Sequence, residues 1–136
     1  GLAAIQKDKD IETILEMSHE DLKVMDSEDA GIWSFRLARY ASFLQKEINR
    51  HSAKNKWAEH NIKVIIAKNQ GNYGDKYTKY EVKRDMIIAD NAYAQVLNKL
   101  LLQSMLRIEE LNFISTRIHT MSTILLDISK SKRYGD

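Results

Sequence analysis

Six basic residues, Arg36, Arg39, Lys46, Arg50, Lys54 and Lys68, recur at spacings that share one side of a helix. At about 100° per residue they fall within a sector of about 80°. Phe43 and Trp57 project into the same sector. Cations neutralise phosphates and aromatic faces stack bases. Such a row could therefore hold a nucleic-acid strand by its backbone and its base faces. A solvated basic face gives the same pattern, and so would Phe43 and Trp57 packed on a neighbouring subunit. The stretch GNYGDKYTKY, Gly71 to Tyr80, extends the theme. There Tyr73, Tyr77 and Tyr80 stand among Lys68, Lys76, Lys79, Lys83 and Arg84. The glycines give a backbone free enough to follow a strand, although tyrosine is also common at helix–helix turns.

Other chemistry is poorly represented. His19, His51, His60 and His119 have neither HExxH nor any similar ligand spacing. His51 falls on an apolar stripe, where a hydrogen-bonded interior histidine is the simpler reading. Glu109 and Glu110 offer carboxylates without a matching base. The glycines of GNYG lack the spacing and the Lys-Ser/Thr ending of a phosphate loop. With no cysteine there is no disulfide, thiolate metal site or cysteine nucleophile. The expectation is a protein that is not an enzyme, with no cofactor and no metal.

Net charge is only +2 over 136 residues, but it is unevenly spread. Gly1 to Gly31 holds nine acids against three lysines, and Lys46 to Arg84 holds ten basic residues against four acids. An acidic head and a basic middle imply different partners, or each other. No stretch reaches the ~18 apolar residues of a membrane span, and the first residues contain no signal-like apolar run. A cytoplasmic chain with no membrane partner is expected.

The elements that must carry these residues are helical. Proline is absent, and there are five glycines. An acidic helical segment is predicted at about Asp8 to Met25, within residues 1–26, and Ser18 to Asp21 has the form of a helix start inside it. A second, basic helix starts at Ser27 or Asp29 and ends near Gln70. Its buried stripe is Trp33, Leu37, Tyr40, Leu44, Ile48, His51, Asn55, Ala58, Ile62 and Ile65. Gly71 is a natural stop, and a turn follows over 71–77. Thr78 with Glu81 makes a capping box, from which a third helix can run unbroken to about Lys132. Its end repeats in steps of three and four, through Leu111, Ile114, Ile118, Met121, Leu125 and Ile128. That is a coiled-coil-like seam and the candidate oligomerisation element. Leu100, Leu101 and Leu102 cover most of a helix circumference, so burial from more than one side is expected there. The predicted class is all-α: residues 27–136 as a long antiparallel hairpin with a short N-terminal helix, assembling as a homo-oligomer. The alternative is a three-helix monomer whose first segment covers the groove.

At KYEVKRDMIIADNAYAQV, Lys79 to Val96, the chain resembles the UvsY family of phage recombination mediators. Lys79-Tyr80-Glu81 matches the start of that family's Tyr-Glu…Ala-Asp segment and Ala89-Asp90 its end, with about one residue fewer between them. The Gly71–Gly74 turn fits the family's glycine-rich turn, and the likeness covers roughly Lys54 to Ile128. The resemblance implies a non-enzymatic homo-oligomer, a ring of roughly six or seven subunits, acting in DNA recombination, repair and replication in the host-cell cytoplasm. It implies binding to single-stranded DNA, displacement of single-stranded DNA-binding protein, and loading of a RecA-like recombinase. The family's Lys-x-Arg pair falls on Lys63 and Ile65, so the arginine is missing. That shifts weight to Lys68, Lys76 and Lys79. The DNA-binding candidates are Arg50, Lys54, Lys63, Lys68, Lys76, Lys79, Tyr73 and Tyr77. The other reading is a coiled-coil scaffold without DNA binding.

Overall fold

The computed structural model describes residues 10–134, and among them every regular element is helical. Residues 10–15 form a short helix, and the predicted start at Asp8 lies outside the described residues. The remaining helices are α1 (His19–Lys23), α2 (Ser27–Asn69), α3 (Tyr80–Asp90) and α4 (Ala92–Arg133), with a 3-10 turn at Gln70–Asn72. The chain is all-α. It divides into two compact units: residues up to Lys46 with those from Leu111 onward, and Glu47–Glu110.

In the first unit, local chemistry sets the helix starts. Ser18 Oγ accepts from the Asp21 amide and Asp21 Oδ2 accepts from the Ser18 amide, both at 3.2 Å, completing the capping box that opens α1. Asp26 Oδ1 accepts from the Asp29 amide at 2.8 Å, which caps α2. Glu28 and Asp29 then face the positive end of the helix dipole. Leu37, Ala41 and Leu44 of α2 are buried, as are Leu111, Ile118 and Leu125 of α4. Two reciprocal serine pairs lock these segments together. Ser27 Oγ donates to Ser129 O, and Ser129 Oγ to Ser27 O, each at 2.8 Å. One heptad further along α2, Ser34 Oγ donates to Ser122 O at 2.9 Å, and Ser122 Oγ to Ser34 O at 3.0 Å. The partner numbers fall as the α2 numbers rise, so the segments run antiparallel. Small side chains permit this approach: a β-carbon on Gly31 would stand 3.1 Å from Ser129 Oγ.

The acidic segment packs onto this unit. Ile11, Ile14 and Leu22 are buried. Lys132 Nζ donates to the carbonyls of Lys23, at 2.6 Å, and of Met25. Part of the seam is therefore covered within one chain. Ile118 and Leu125 are fully covered without a second subunit, while Ile114, Met121 and Ile128 are half-buried. Periodicity shows that a face is buried and does not name its partner.

The second unit has its own core of Ala58, Ile62 and Ile66 from α2, Ile87 from α3, and Leu97 and Leu101 from α4. Ile65, Tyr73, Ile88 and Leu100 pack at its edge. Asn55 Nδ2 donates to Leu101 O at 3.1 Å and to Ser104 Oγ at 3.0 Å, so this polar position of the stripe is hydrogen-bonded.

The third helix does not run unbroken. Asn91 is extended, with φ −120° and ψ 111°, and separates α3 from α4. Its Oδ1 accepts from the Ala94 amide at 2.8 Å, an N-cap for α4, while Gln95 Nε2 donates to Ala89 O at 2.8 Å. The break lets Ile87 and Leu97 reach one core. The predicted Thr78–Glu81 box is also absent: Lys79 is the N-cap and makes no side-chain bond. Thr78 Oγ1 instead accepts from the Asp75 amide at 3.0 Å and donates to Asp75 Oδ1 at 3.2 Å. Asp75 Oδ1 also accepts from the Tyr77 amide at 2.8 Å. The turn is thus an ordered Asx-type structure built on Gly74, whose φ is +64°.

That geometry gives a stability prediction. A β-carbon at left-handed φ costs about 1–2 kcal/mol. On Gly74 it would also stand 2.5 Å from Thr78 Oγ1, whereas a β-carbon on Gly71 would meet nothing within 4 Å. Gly74→Ala is expected to lower the melting temperature measured by circular dichroism, and Gly71→Ala to leave it nearly unchanged. Equal melting of the two would contradict this account of the turn.

Candidate nucleic-acid interface

All eight predicted DNA-binding residues lie in the Glu47–Glu110 unit. The helical spacing of α2 puts Arg50, Lys54 and Lys68 on one exposed face, with Trp57 between them and 53% exposed. Arg50 pairs with Glu47 at 2.7 Å, an exposed pair of small energetic weight. No ion pair among the described residues engages Lys54 or Lys68. Lys68 lies in the last turn of α2, where its charge complements the helix dipole. Lys76 and Lys79 follow on the exposed connection to α3.

Lys63 does not join this face. It follows Lys54 by nine residues, about two and a half turns, which brings it to the opposite flank of α2. Ile65, where the family pattern has arginine, packs at the edge of the hydrophobic core.

The tyrosines divide into different roles. Tyr77 is 81% exposed, with Lys76 Nζ 5.1 Å from its ring centroid, so cation and ring are presented together. Tyr73 is half-buried at the core edge. Hydrogen bonding toward Asp90, then burial and the Asp90 charge, raises the Tyr73 pKa above the usual tyrosine value. Tyr73 therefore packs at the core edge and is less open than Tyr77 to a stacking base.

His51 sits half-buried beside the basic face. Burial, followed by the charges of Lys54, Arg50 and Arg107, lowers its pKa below 6.5, with Glu47 opposing. A histidine with a depressed folded pKa contributes stability above its unfolded pKa, and this is lost as pH falls through the folded value. The urea midpoint is expected to drop as pH is lowered below 6.5. His51→Gln should flatten that dependence, and an unchanged profile would remove His51 as its source.

In the other unit, Arg36 and Arg39 lie over their own neighbours, Trp33 at 5.1 Å and Phe35 at 5.8 Å. They line an open depression of about 700 Å³ with Arg133. Sequence reading did not associate Arg133 with them, because that requires the register set by the Ser27–Ser129 pair. No group of three or more metal-ligating side chains occurs among the described residues, and no helix there is long and apolar enough to cross a membrane. Comparison of the chain with protein-family models, curated proteins and solved structures returns no match.

Proposed function

We propose that the protein is a non-enzymatic single-stranded DNA-binding protein whose contact surface lies on the Glu47–Glu110 unit. The observation that carries this reading is the exposed α2 face on which Arg50, Lys54 and Lys68 flank an exposed Trp57. Exposed cations, of which only Arg50 has an ion-pair partner, in Glu47, fit phosphates, and a half-exposed indole fits a base face. The contacts assigned to this face are to phosphates and base faces, which carry little sequence information, so sequence preference should be weak. The resemblance over Lys79 to Asp90 supports the finer reading. In it the protein is a homo-oligomeric recombination mediator that loads a RecA-like recombinase where single-stranded DNA-binding protein was bound.

A second reading, an oligomerising helical scaffold, is favoured by one observation: Leu102 and Leu106 are exposed despite their size. Fluorescence anisotropy with a labelled oligothymidine separates the two. On the DNA reading, Tyr77→Ala should weaken binding by on the order of 1–3 kcal/mol with the salt slope unchanged. Absence of binding at low salt would leave the scaffold.

A further inference from the structure

We infer that α4 pairs with α4 of a second copy, antiparallel about a twofold axis near residue 104. The inference rests on the homo-oligomer reading and is independent of DNA binding. Leu97, Leu101 and Ser104 are buried within the unit, whereas Leu102, Met105 and Leu106 are 51%, 47% and 67% exposed. Large apolar side chains clustered on a polar surface mark a contact site. Lys99, Leu102, Leu106 and Glu109 follow one another in steps of three, four and three, so they form a single stripe on the outer face of α4. Lys99 and Glu109 are both exposed, and neither enters an ion pair among the described residues.

The order of this stripe selects its occupant and direction. Leu102 and Leu106 are equidistant from residue 104, and so are Lys99 and Glu109. An antiparallel second copy centred there sets Leu102 against Leu106 and Lys99 against Glu109, twice over. A parallel copy would set Lys99 on Lys99 and Glu109 on Glu109, which is repulsive. Self-complementarity of this kind defines an isologous twofold contact. The unbranched Met105 fills the space beside the leucines. A contact this small lies at the low end of specific interfaces, so the dimer is concentration-dependent.

The test uses sedimentation across a concentration series, with helicity checked by circular dichroism. The native chain should dimerise, and Leu106→Asp should remain monomeric with unchanged helicity. Lys99→Glu and Glu109→Lys should each weaken self-association about tenfold. Mixed one to one they should associate as the native chain does, because both contacts then again join a lysine to a glutamate, one in the native sense and one reversed. Leu102→Cys mixed with Leu106→Cys should form a disulfide-linked dimer more readily than either alone, a clean readout in a chain with no cysteine of its own. An oligomer that survives Leu106→Asp, or mixed variants that fail to associate, would overturn the pairing and leave the homo-oligomer reading standing on another face. A native chain that stays monomeric at every concentration would overturn both.

Discussion

Replacing Ile118 with Asp is expected to abolish the cooperative folding of the unit formed by α1, the first part of α2 and the last part of α4. Ile118 has no exposed surface, and Leu111 and Leu125, one heptad to either side, are buried with it. Removing a buried isoleucine side chain typically costs about 2–5 kcal/mol, and an unpaired carboxylate in its place adds a desolvation penalty. Against a total stability of about 5–15 kcal/mol for a domain, that is decisive. The control is Ile124→Asp on the same helix. Ile124 is 39% exposed, so a charge there can reach water and should cost little. Circular dichroism melts of the two variants measure the difference, and sedimentation adds a second discrimination. A seam inside the chain predicts lost helicity at every protein concentration. A seam between subunits predicts smaller species that keep their helicity, and that result would overturn the intrachain assignment.

The same residues show how far sequence pattern reaches. Steps of three and four from Leu111 to Ile128 identify a buried face correctly, but such steps are the same whether the covering helix belongs to the same chain or another. The deciding information lies 88 to 102 residues away in Ser27 and Ser34, whose pairing with Ser129 and Ser122 is a property of register. Short-range chemistry was more legible. The Ser18–Asp21 box and the start of α2 at Ser27 follow from side chains within three residues of the helix ends. The Asn91 break was missed because neither glycine nor proline marks it. The signal was there in weaker form, an asparagine three residues before Ala94, whose amide it accepts. Thr78 differs for a related reason: a capping box needs its hydroxyl for the Glu81 amide and its own amide for the Glu81 carboxylate, and in the turn Asp75 occupies both, the hydroxyl through its amide and Oδ1 and the Thr78 amide through its carbonyl. At the candidate site the wheel placed Arg50, Lys54 and Lys68 together. It would also have separated Lys63, which family likeness had put beside them. Tyr73 could not be sorted from Tyr77 by sequence, since the core against which it packs is assembled from residues of three helices.

Changing Arg50, Lys54 and Lys68 together to Ala is expected to have the largest effect on DNA binding. Each phosphate neutralised on a single strand contributes about −0.7 to the slope of log affinity against log salt. Three lost contacts should therefore flatten the slope by about 2. Between about 50 and 200 mM salt those contacts alone account for roughly a twenty-fold loss of affinity, and the variant would not show it. The fold should tolerate the change, because all three side chains are exposed and only Arg50 gives up an ion pair, its exposed one with Glu47. Trp57→Ala separates charge from stacking: affinity should fall by on the order of 1–3 kcal/mol with the slope retained. Lys63→Ala supplies the geometric contrast, since Lys63 faces the other flank of α2 and a strand lying along the basic row does not reach it. Slopes measured for the native chain and these three variants on one oligothymidine decide the matter. If Lys63→Ala flattens the slope as much as the triple change, the strand does not follow the row. If the triple change leaves the slope intact, the row is a solvated surface and the phosphate contacts must lie elsewhere.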